Sequence, residues 1–226
     1  MWKSYSRAKR TNQNREPMRI YFDTNIADFA YTAMCWEQDK NDIKFSESQK
    51  IDMFKNVVAL RYLLDLDKEW NLIFGTSKLM KKEVDKIRIE KNFDYYAQKL
   101  PSLKRFYNAL EQLSSRRFEE DKAKNKLCKG KKERLRKKLT RIVVDEHDVE
   151  HIIEFAESGW DAFLTLDNKH ILKKKKDLKK IGLKVCSPLE FLKSFLGVNT
   201  EEEALKLLKT ALHGSWARHF IIEKPK

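Results

Sequence analysis

The chain alternates between short apolar runs and amphipathic segments. The apolar runs predict four strands, at residues 18–23, 71–75, 162–166 and 183–186. The segments between them repeat apolar residues at helical spacing, as in the stretch 46–68, which Ser46 and Gln49 open with a capping-box pattern. Strands separated by helices predict an α/β fold, a three-layer α/β/α sandwich around a central parallel sheet.

This rhythm divides the chain into four parts. Residues 1–17 are polar and basic and form a predicted flexible arm. Residues 18–196 form the main domain, which is interrupted at about 91–140 by a helical insertion that becomes very basic and has no strong strand signal. Residues 197–226 are predicted to form a C-terminal helix and a tail.

The charge of the chain indicates the kind of partner it binds. The 226 residues include 48 Lys and Arg against 34 Asp and Glu, a formal net charge of +14. This excess favours association with phosphate backbones or with anionic lipid. No apolar run reaches the roughly 18 residues of a membrane span, and the N-terminus lacks the apolar core of a secretory signal. Cys35, Cys128 and Cys186 are odd in number and far apart, which is typical of reduced thiols in a cytoplasmic protein.

Two of the predicted strands end abruptly in an acid. Asp23 closes the first strand, and Asp167 closes the third. Asp is depleted in strands and costly to bury, so an Asp at the end of each of these two strands needs an explanation. Because ligands collect at the carboxyl ends of parallel strands, we expect Asp23 and Asp167 to be neighbours in space.

Two further acids lie near the starts of predicted helices. At about 100° per residue, Asp148 lies at the edge of the apolar stripe of the helix 145–158. Glu83 has the same position in the helix that begins at Ser77. Both side chains therefore point partly inward, from helix ends that favour negative charge.

Four inward carboxylates would repel one another and raise their pKa values unless a cation joined them. Oxygen-only ligation favours the hard ions Mg²⁺ and Mn²⁺. One or two such ions could orient a water molecule and stabilise charge on a scissile phosphate.

The order of these residues resembles the PIN-domain ribonucleases, including their toxin-type members. The motifs that match are YFDTN at 21–25, a Glu early in the helix after the second strand, Asp148 nineteen positions before the Asp of FLTLD at 163–167, and LKVCSPLEFL at 183–192. In the last motif, Ser187 and Pro188 open a helix that runs through Leu196. The resemblance covers residues 18–90 and 140–196.

The resemblance implies an endoribonuclease that depends on Mg²⁺ or Mn²⁺ and cleaves single-stranded or structured RNA. Asn25 and Thr165 match the family's polar supporting positions, and Lys169 stands where some members have a fifth acid. A toxin, a defence factor and an RNA-processing enzyme all fit. A homodimer and an antitoxin-like or other regulatory protein are therefore candidate partners besides RNA. The implied catalytic and metal-binding acids are Asp23, Glu83, Asp148 and Asp167.

The basic insertion supplies candidate RNA contacts. Residues 129–141 contain eight basic residues and one acid. Neutralised phosphates would supply affinity, and the aromatic residues nearby could stack on bases, although such a run is also common on a solvated surface. The predicted RNA-binding residues are Lys131, Lys132, Arg134, Arg136, Lys137, Lys138 and Arg141.

Each acid also has an ordinary structural explanation. Asp23 and Asp167 could cap the helices that follow them, and a Glu such as Glu83 is common in a first turn. Asp145 is predicted to cap the helix 145–158, which Gly159 ends, or to face the site one turn before Asp148. A non-catalytic RNA-binding protein on the same fold is the main alternative function.

His147, Glu150 and His151 match the H-x-x-E-H pattern of inverted zinc peptidases. Two histidines at this spacing can share a metal ion, with Glu150 as the base. Both histidines are predicted to lie opposite the apolar stripe of their helix, where a closed pocket is not expected. A zinc peptidase is therefore the weakest of the three alternatives.

Overall fold

The computed structural model of the chain describes residues 17–26, 55–56, 59–60, 63, 72–83 and 116–197. The predicted basic arm before Pro17, most of the predicted helix at 46–68, residues 84–115 and the predicted helix after Gly197 lie outside the described residues.

The strands form one parallel sheet of four in the order β2-β1-β3-β4. Their sequences are apolar almost throughout, as a parallel sheet requires when both of its faces are buried. The strands are β1 Met18–Phe22, β2 Leu72–Gly75, β3 Ala162–Leu164 and β4 Val185–Cys186.

Helices connect and cover these strands. Residues 24–26 and 78–83 are helical directly after β1 and β2, and so are the described residues between 55 and 63. The other helices are α1 Arg116–Asn125, α2 Lys129–Leu139, α3 Glu146–Ser158, α4 Lys175–Lys180 and α5 Pro188–Leu196. A 3-10 turn, Leu172–Lys174, directly precedes α4.

Apolar clusters cover both faces of the sheet. Alternate residues of β1 point to opposite sides, so that Ile20 and Phe22 join one cluster and Tyr21 joins the other. The cluster around Phe22 includes residues of α5, and the cluster around Tyr21 includes residues of α3. The predicted α/β class with a central parallel sheet is therefore confirmed.

The predicted boundaries of α3 and α5 are confirmed. The Asp145 side chain caps α3 by accepting from the amides of His147 and Asp148, at 2.8 and 3.4 Å. Gly159 ends the same helix with a φ of 67°, a conformation that other residues adopt only with strain. Ser187 and Glu190 form a reciprocal capping box at the start of α5.

The described end of the basic insertion is helical and packs on the main domain. Phe118 of α1 and Leu139 of α2 are fully buried in the cluster around Tyr21, where the Phe118 ring lies 5.4 Å from the Tyr21 ring. These two helices therefore share the core of the sheet instead of forming a separate one. Within the described residues, no helix is long and apolar enough to cross a membrane.

Candidate metal centre at the carboxyl end of the sheet

The neighbouring strands β1 and β3 end together and bring their acids to one edge. Phe22 pairs with Leu164, and the amide of Asp23 donates to the carbonyl of Leu164 at 3.0 Å. Thr165 then links the two strand-end acids, because its hydroxyl donates to Asp23 at 2.7 Å and accepts from the amide of Asp167 at 3.0 Å. The predicted proximity of Asp23 and Asp167 is confirmed.

Asp23 is a buried carboxylate held from several sides. It is 3% exposed and accepts hydrogen bonds from the Thr24 amide at 2.8 Å, the Asn25 side chain at 2.7 Å and Thr165. Burial raises the pKa of Asp23, although the charge of His151 and the hydrogen bonds from Thr165 and Thr24 act in the opposite direction. A capping Asp binds the amide two or three positions ahead, whereas Asp23 binds the next amide, so it is not an ordinary helix cap.

Asn25 and Thr165 support this edge as their sequence positions predict. The amide group of Asn25 donates both to Asp23 and to the Thr165 hydroxyl, the latter at 2.9 Å. Its oxygen accepts from the amide of Leu166 at 2.9 Å, which ties the end of β1 to the chain after β3. The two polar side chains therefore fix the orientation of the Asp23 carboxylate.

Asp148 has the most unfavourable environment of the four predicted acids. It projects from the first turn of α3, and its Oδ2 is buried without a hydrogen-bond partner among the described residues. Burial, together with the negative charges of Asp23, Asp145 and Asp167, raises the pKa of Asp148 to about 7. The side chain therefore points into the group of acids, as the analysis of helix faces predicts.

Asp167 combines a structural role with a position in the acidic group. Its Oδ1 accepts from the amide of His170 at 2.7 Å, and its Oδ2 lies 3.1 Å from Nδ1 of the same residue. These bonds close the turn after β3, but Asp167 does not cap a helix, because the 3-10 turn that follows begins at Leu172 with Ile171 at its N-cap. Potential ligand atoms of Asp148, Asp167 and His170 all lie within 4.8 Å of one another.

His170 is a member of the site that the sequence reasoning missed. The available signal was its spacing, because a residue three positions after a strand-end acid can return to that acid within one turn. The resemblance to PIN-domain ribonucleases drew attention to the neighbouring Lys169 instead, and the Lys169 side chain is exposed in the structure.

Glu83 reaches the same edge but has partners of its own. It accepts from the Thr24 hydroxyl and from Nε2 of His151, the latter at 3.0 Å. Burial by itself would raise the pKa of Glu83, but the hydrogen bond and charge of His151 and the hydrogen bond of Thr24 outweigh it, so that the pKa is lowered. The Glu83 carboxylate is therefore paired with the buried imidazole of His151.

The prediction that His151 lies away from any closed pocket is wrong. His151 is 1% exposed, and its Nδ1 lies 2.7 Å from the Tyr21 hydroxyl. Burial lowers the pKa of His151, but Tyr21, Glu83 and the charge of Asp23 outweigh this and raise it well above its usual value. The apolar stripe of α3 did not predict the burial of His151, because His151 is buried against polar partners from other segments.

The H-x-x-E-H residues do not come together in a zinc site. His147 is exposed, whereas His151 is buried against Tyr21 and Glu83. The Glu150 carboxylate is bound by the guanidinium of Arg136. The structure therefore offers no support for the zinc peptidase alternative.

The predicted RNA-binding residues fall into two groups. Lys132 pairs with Glu157 at 2.9 Å, and Arg136 pairs with Glu150, so that these two residues hold α2 against α3. These pairs follow from tertiary packing, because α2 lies beside an acidic side of α3. The remaining five are exposed: Lys131, Arg134, Lys137, Lys138 and Arg141.

Comparisons of the chain with protein-family models, with curated proteins and with solved structures found no match.

Proposed function

We propose that the protein is a metal-dependent endoribonuclease with a PIN-like α/β/α sandwich. The single observation that carries the proposal is the buried oxygen of Asp148, which has no hydrogen-bond partner among the described residues and lies among the carboxylates of Asp23, Asp145 and Asp167. A divalent cation at this edge would supply the missing partner and would offset the repulsion that raises the pKa of Asp148.

The donor set fits such a cation. Asp148 and Asp167 offer carboxylate oxygens, the donors that Mg²⁺ and Mn²⁺ prefer, and their potential ligand atoms lie within 4.8 Å of each other and of His170. When bound, the ion would polarise a phosphate oxygen and lower the pKa of a water molecule for in-line attack on the RNA backbone.

The residues around this set have distinct tasks in the proposed reaction. Asp23 would hold a fixed negative charge behind the ion, because Asn25 and Thr165 leave its carboxylate little freedom to turn. Glu83 would face the substrate side as a second carboxylate, oriented by Thr24 and His151. Rigid support of this kind matters because small misplacements of reacting groups cost large factors in rate.

RNA is the proposed substrate because an exposed basic surface accompanies the acids. Lys131, Arg134, Lys137, Lys138 and Arg141 are exposed on α2 and directly after it. Contacts of these side chains with phosphates would supply affinity that decreases with added salt. The same surface favours the second candidate, a non-catalytic RNA-binding protein, which differs from the first only in its lack of cleavage.

The substitution Asp23→Asn tests the proposal. It keeps the size of the side chain but removes its charge, and we expect RNA cleavage in Mn²⁺ or Mg²⁺ to fall by about a hundredfold or more. The measurement is sequencing of RNA ends after incubation with equal amounts of wild type and variant, and RNA binding should be retained. Asp177→Asn, at an exposed acid that pairs with Lys180, is the matched control and should cleave like the wild type. Cleavage at the same sites and rate by Asp23→Asn would exclude the proposed nuclease, and binding without cleavage by the wild type would favour the second candidate.

A further inference from the structure

His170 brings a nitrogen donor to an otherwise oxygen-rich group. It lies in the turn after β3, with 39% of its side chain exposed and its Nδ1 at 3.1 Å from Asp167. Asp148 approaches the same point from the first turn of α3, so that three residues from two separate segments converge there. The His170 ring contacts Asp167 through Nδ1 and is otherwise partly exposed, so it can rotate toward a ligand without a change in the backbone.

The second observation is the state of Asp148. Its buried Oδ2 has no hydrogen-bond partner among the described residues, although Asp23 and Glu83 nearby are each held by several. Buried polar atoms are rarely left unpaired unless an ion, a water molecule or a ligand completes them. Asp148 is also the residue that offers a potential ligand atom within 4.8 Å of those of Asp167 and His170.

We propose that His170 is a ligand of the metal ion at this centre and gives the site a preference for Mn²⁺ over Mg²⁺. The inference rests on the proposed function only in so far as that function requires a metal ion. It adds which of the two ions, Mg²⁺ or Mn²⁺, the site prefers. Mg²⁺ selects oxygen donors and releases its water reluctantly, whereas imidazole binds first-row transition ions well. Replacement of one oxygen donor by an imidazole therefore shifts the preference away from Mg²⁺.

The geometry allows this ligation after a small contraction. Two atoms that each lie about 2.1 Å from one ion are roughly 3 to 4 Å apart, and the three residues offer atoms within 4.8 Å of one another. Nδ1 of His170 lies 3.1 Å from Oδ2 of Asp167, so these two potential ligand atoms are already adjacent.

The test compares Mn²⁺ and Mg²⁺ binding by the full chain in three forms, all prepared free of metal. His170→Asn removes the imidazole but keeps the backbone hydrogen bond to Asp167, and His147→Asn removes an exposed histidine from the same region as a control. Calorimetric titration should show that the wild type binds Mn²⁺ at least about tenfold more tightly than Mg²⁺. His170→Asn should lose about ten- to a hundredfold in Mn²⁺ affinity and much less in Mg²⁺ affinity. His147→Asn should bind both ions like the wild type.

A spectroscopic signature separates ligation from structural support. Electron spin-echo spectra of the Mn²⁺-loaded wild type should contain a nitrogen coupling that His170→Asn lacks and His147→Asn retains. Absence of that coupling in the wild type, an unchanged Mn²⁺ affinity in His170→Asn, or equal losses for both ions would each overturn the inference. Thermal unfolding in a chelator should show all three forms folded, so that a loss of affinity is not a loss of structure.

The outcomes also distinguish this inference from the proposed function. Nitrogen-coupled Mn²⁺ binding without RNA cleavage would leave the inference standing and remove the nuclease. Cleavage that is supported equally by both ions and is unaffected by His170→Asn would do the reverse. A wild type that binds neither ion would contradict both.

Discussion

The two sides of helix α3 treat their acids in opposite ways. On one side, three carboxylates are paired with cations from α1 or α2: Glu150 with Arg136, Glu154 with Lys122, and Glu157 with Lys132. On the other side, Asp148 has no cation partner among the described residues and lies among further acids. The same helix thus contains acids that bind it to α1 and α2, and one acid whose charge no cation among the described residues compensates.

This difference separates structural acids from the candidate functional one. A buried or half-buried carboxylate without a partner is costly, and it is retained when a ligand supplies the missing interaction. Paired acids need no such explanation. Charge alone therefore does not mark a site on this highly charged chain, whereas an uncompensated charge does.

The largest expected effect concerns RNA cleavage. Asp148→Asn removes the uncompensated acid and should lower the Mn²⁺-dependent cleavage rate by about a hundredfold or more. Glu154→Gln, on the opposite side of the same helix, should change that rate by less than about threefold, because it removes only a partly exposed ion pair. Single-turnover cleavage of a labelled RNA measures both. If the two variants lose activity to the same extent, the distinction between the two sides of α3 fails.

The next largest effect is on stability, and it is expected on the side of α3 where the acids are paired. Lys132→Met leaves the buried Glu157 carboxylate, whose side chain is 2% exposed, without its cation. Breaking such a pair from one side should reduce the free energy of unfolding by roughly 2 to 3 kcal/mol. Lys131→Met, at the exposed neighbouring position, should change it by less than about 0.5 kcal/mol. Urea unfolding measures both, and equal stabilities of the two variants would show that Lys132 does not hold α2 to α3.

The pH dependence of stability should depend on Asp148. Its pKa in the folded protein is about 7 against an ordinary value of 3.8, so between these pH values the folded state keeps a proton that the unfolded chain has lost. The contribution of this group to stability therefore falls as the pH rises from about 4 to about 7. In the absence of divalent ions, Asp148→Asn should melt at a higher temperature than the wild type at pH 8 and at a similar temperature at pH 4. A melting-temperature difference that is the same at both pH values would contradict this origin.

Local sequence rules predicted the framework of the fold and the strand-end acids. The end of β1 before Asp23, the Asp145 cap, Gly159 and the Ser187 capping box each depend on neighbours within a few residues, whereas β3 ends at Leu164, three residues before Asp167. The inward direction of Asp148 followed from the period of one helix. These features are predictable because backbone geometry and helix-end hydrogen bonds are set locally.

The features that the sequence reasoning missed depend on contacts between distant segments. His151 is buried because Tyr21 and Glu83, from β1 and from the helical residues after β2, give it polar partners. Lys132 and Arg136 are structural because α2 packs beside the acidic side of α3, which no feature of a basic run reveals. His170 reaches the centre through a turn whose geometry depends on Asp167.

The most direct test of the central claim is the position of a metal ion in crystals grown with Mn²⁺. Anomalous scattering measured at the manganese edge locates the ion independently of any assumed ligand. We predict one strong peak within bonding distance of Asp148, Asp167 and His170 at the carboxyl end of the sheet. A fully occupied Mn²⁺ site elsewhere on the protein, with no peak beside Asp148, would contradict the assignment of this edge as the metal centre.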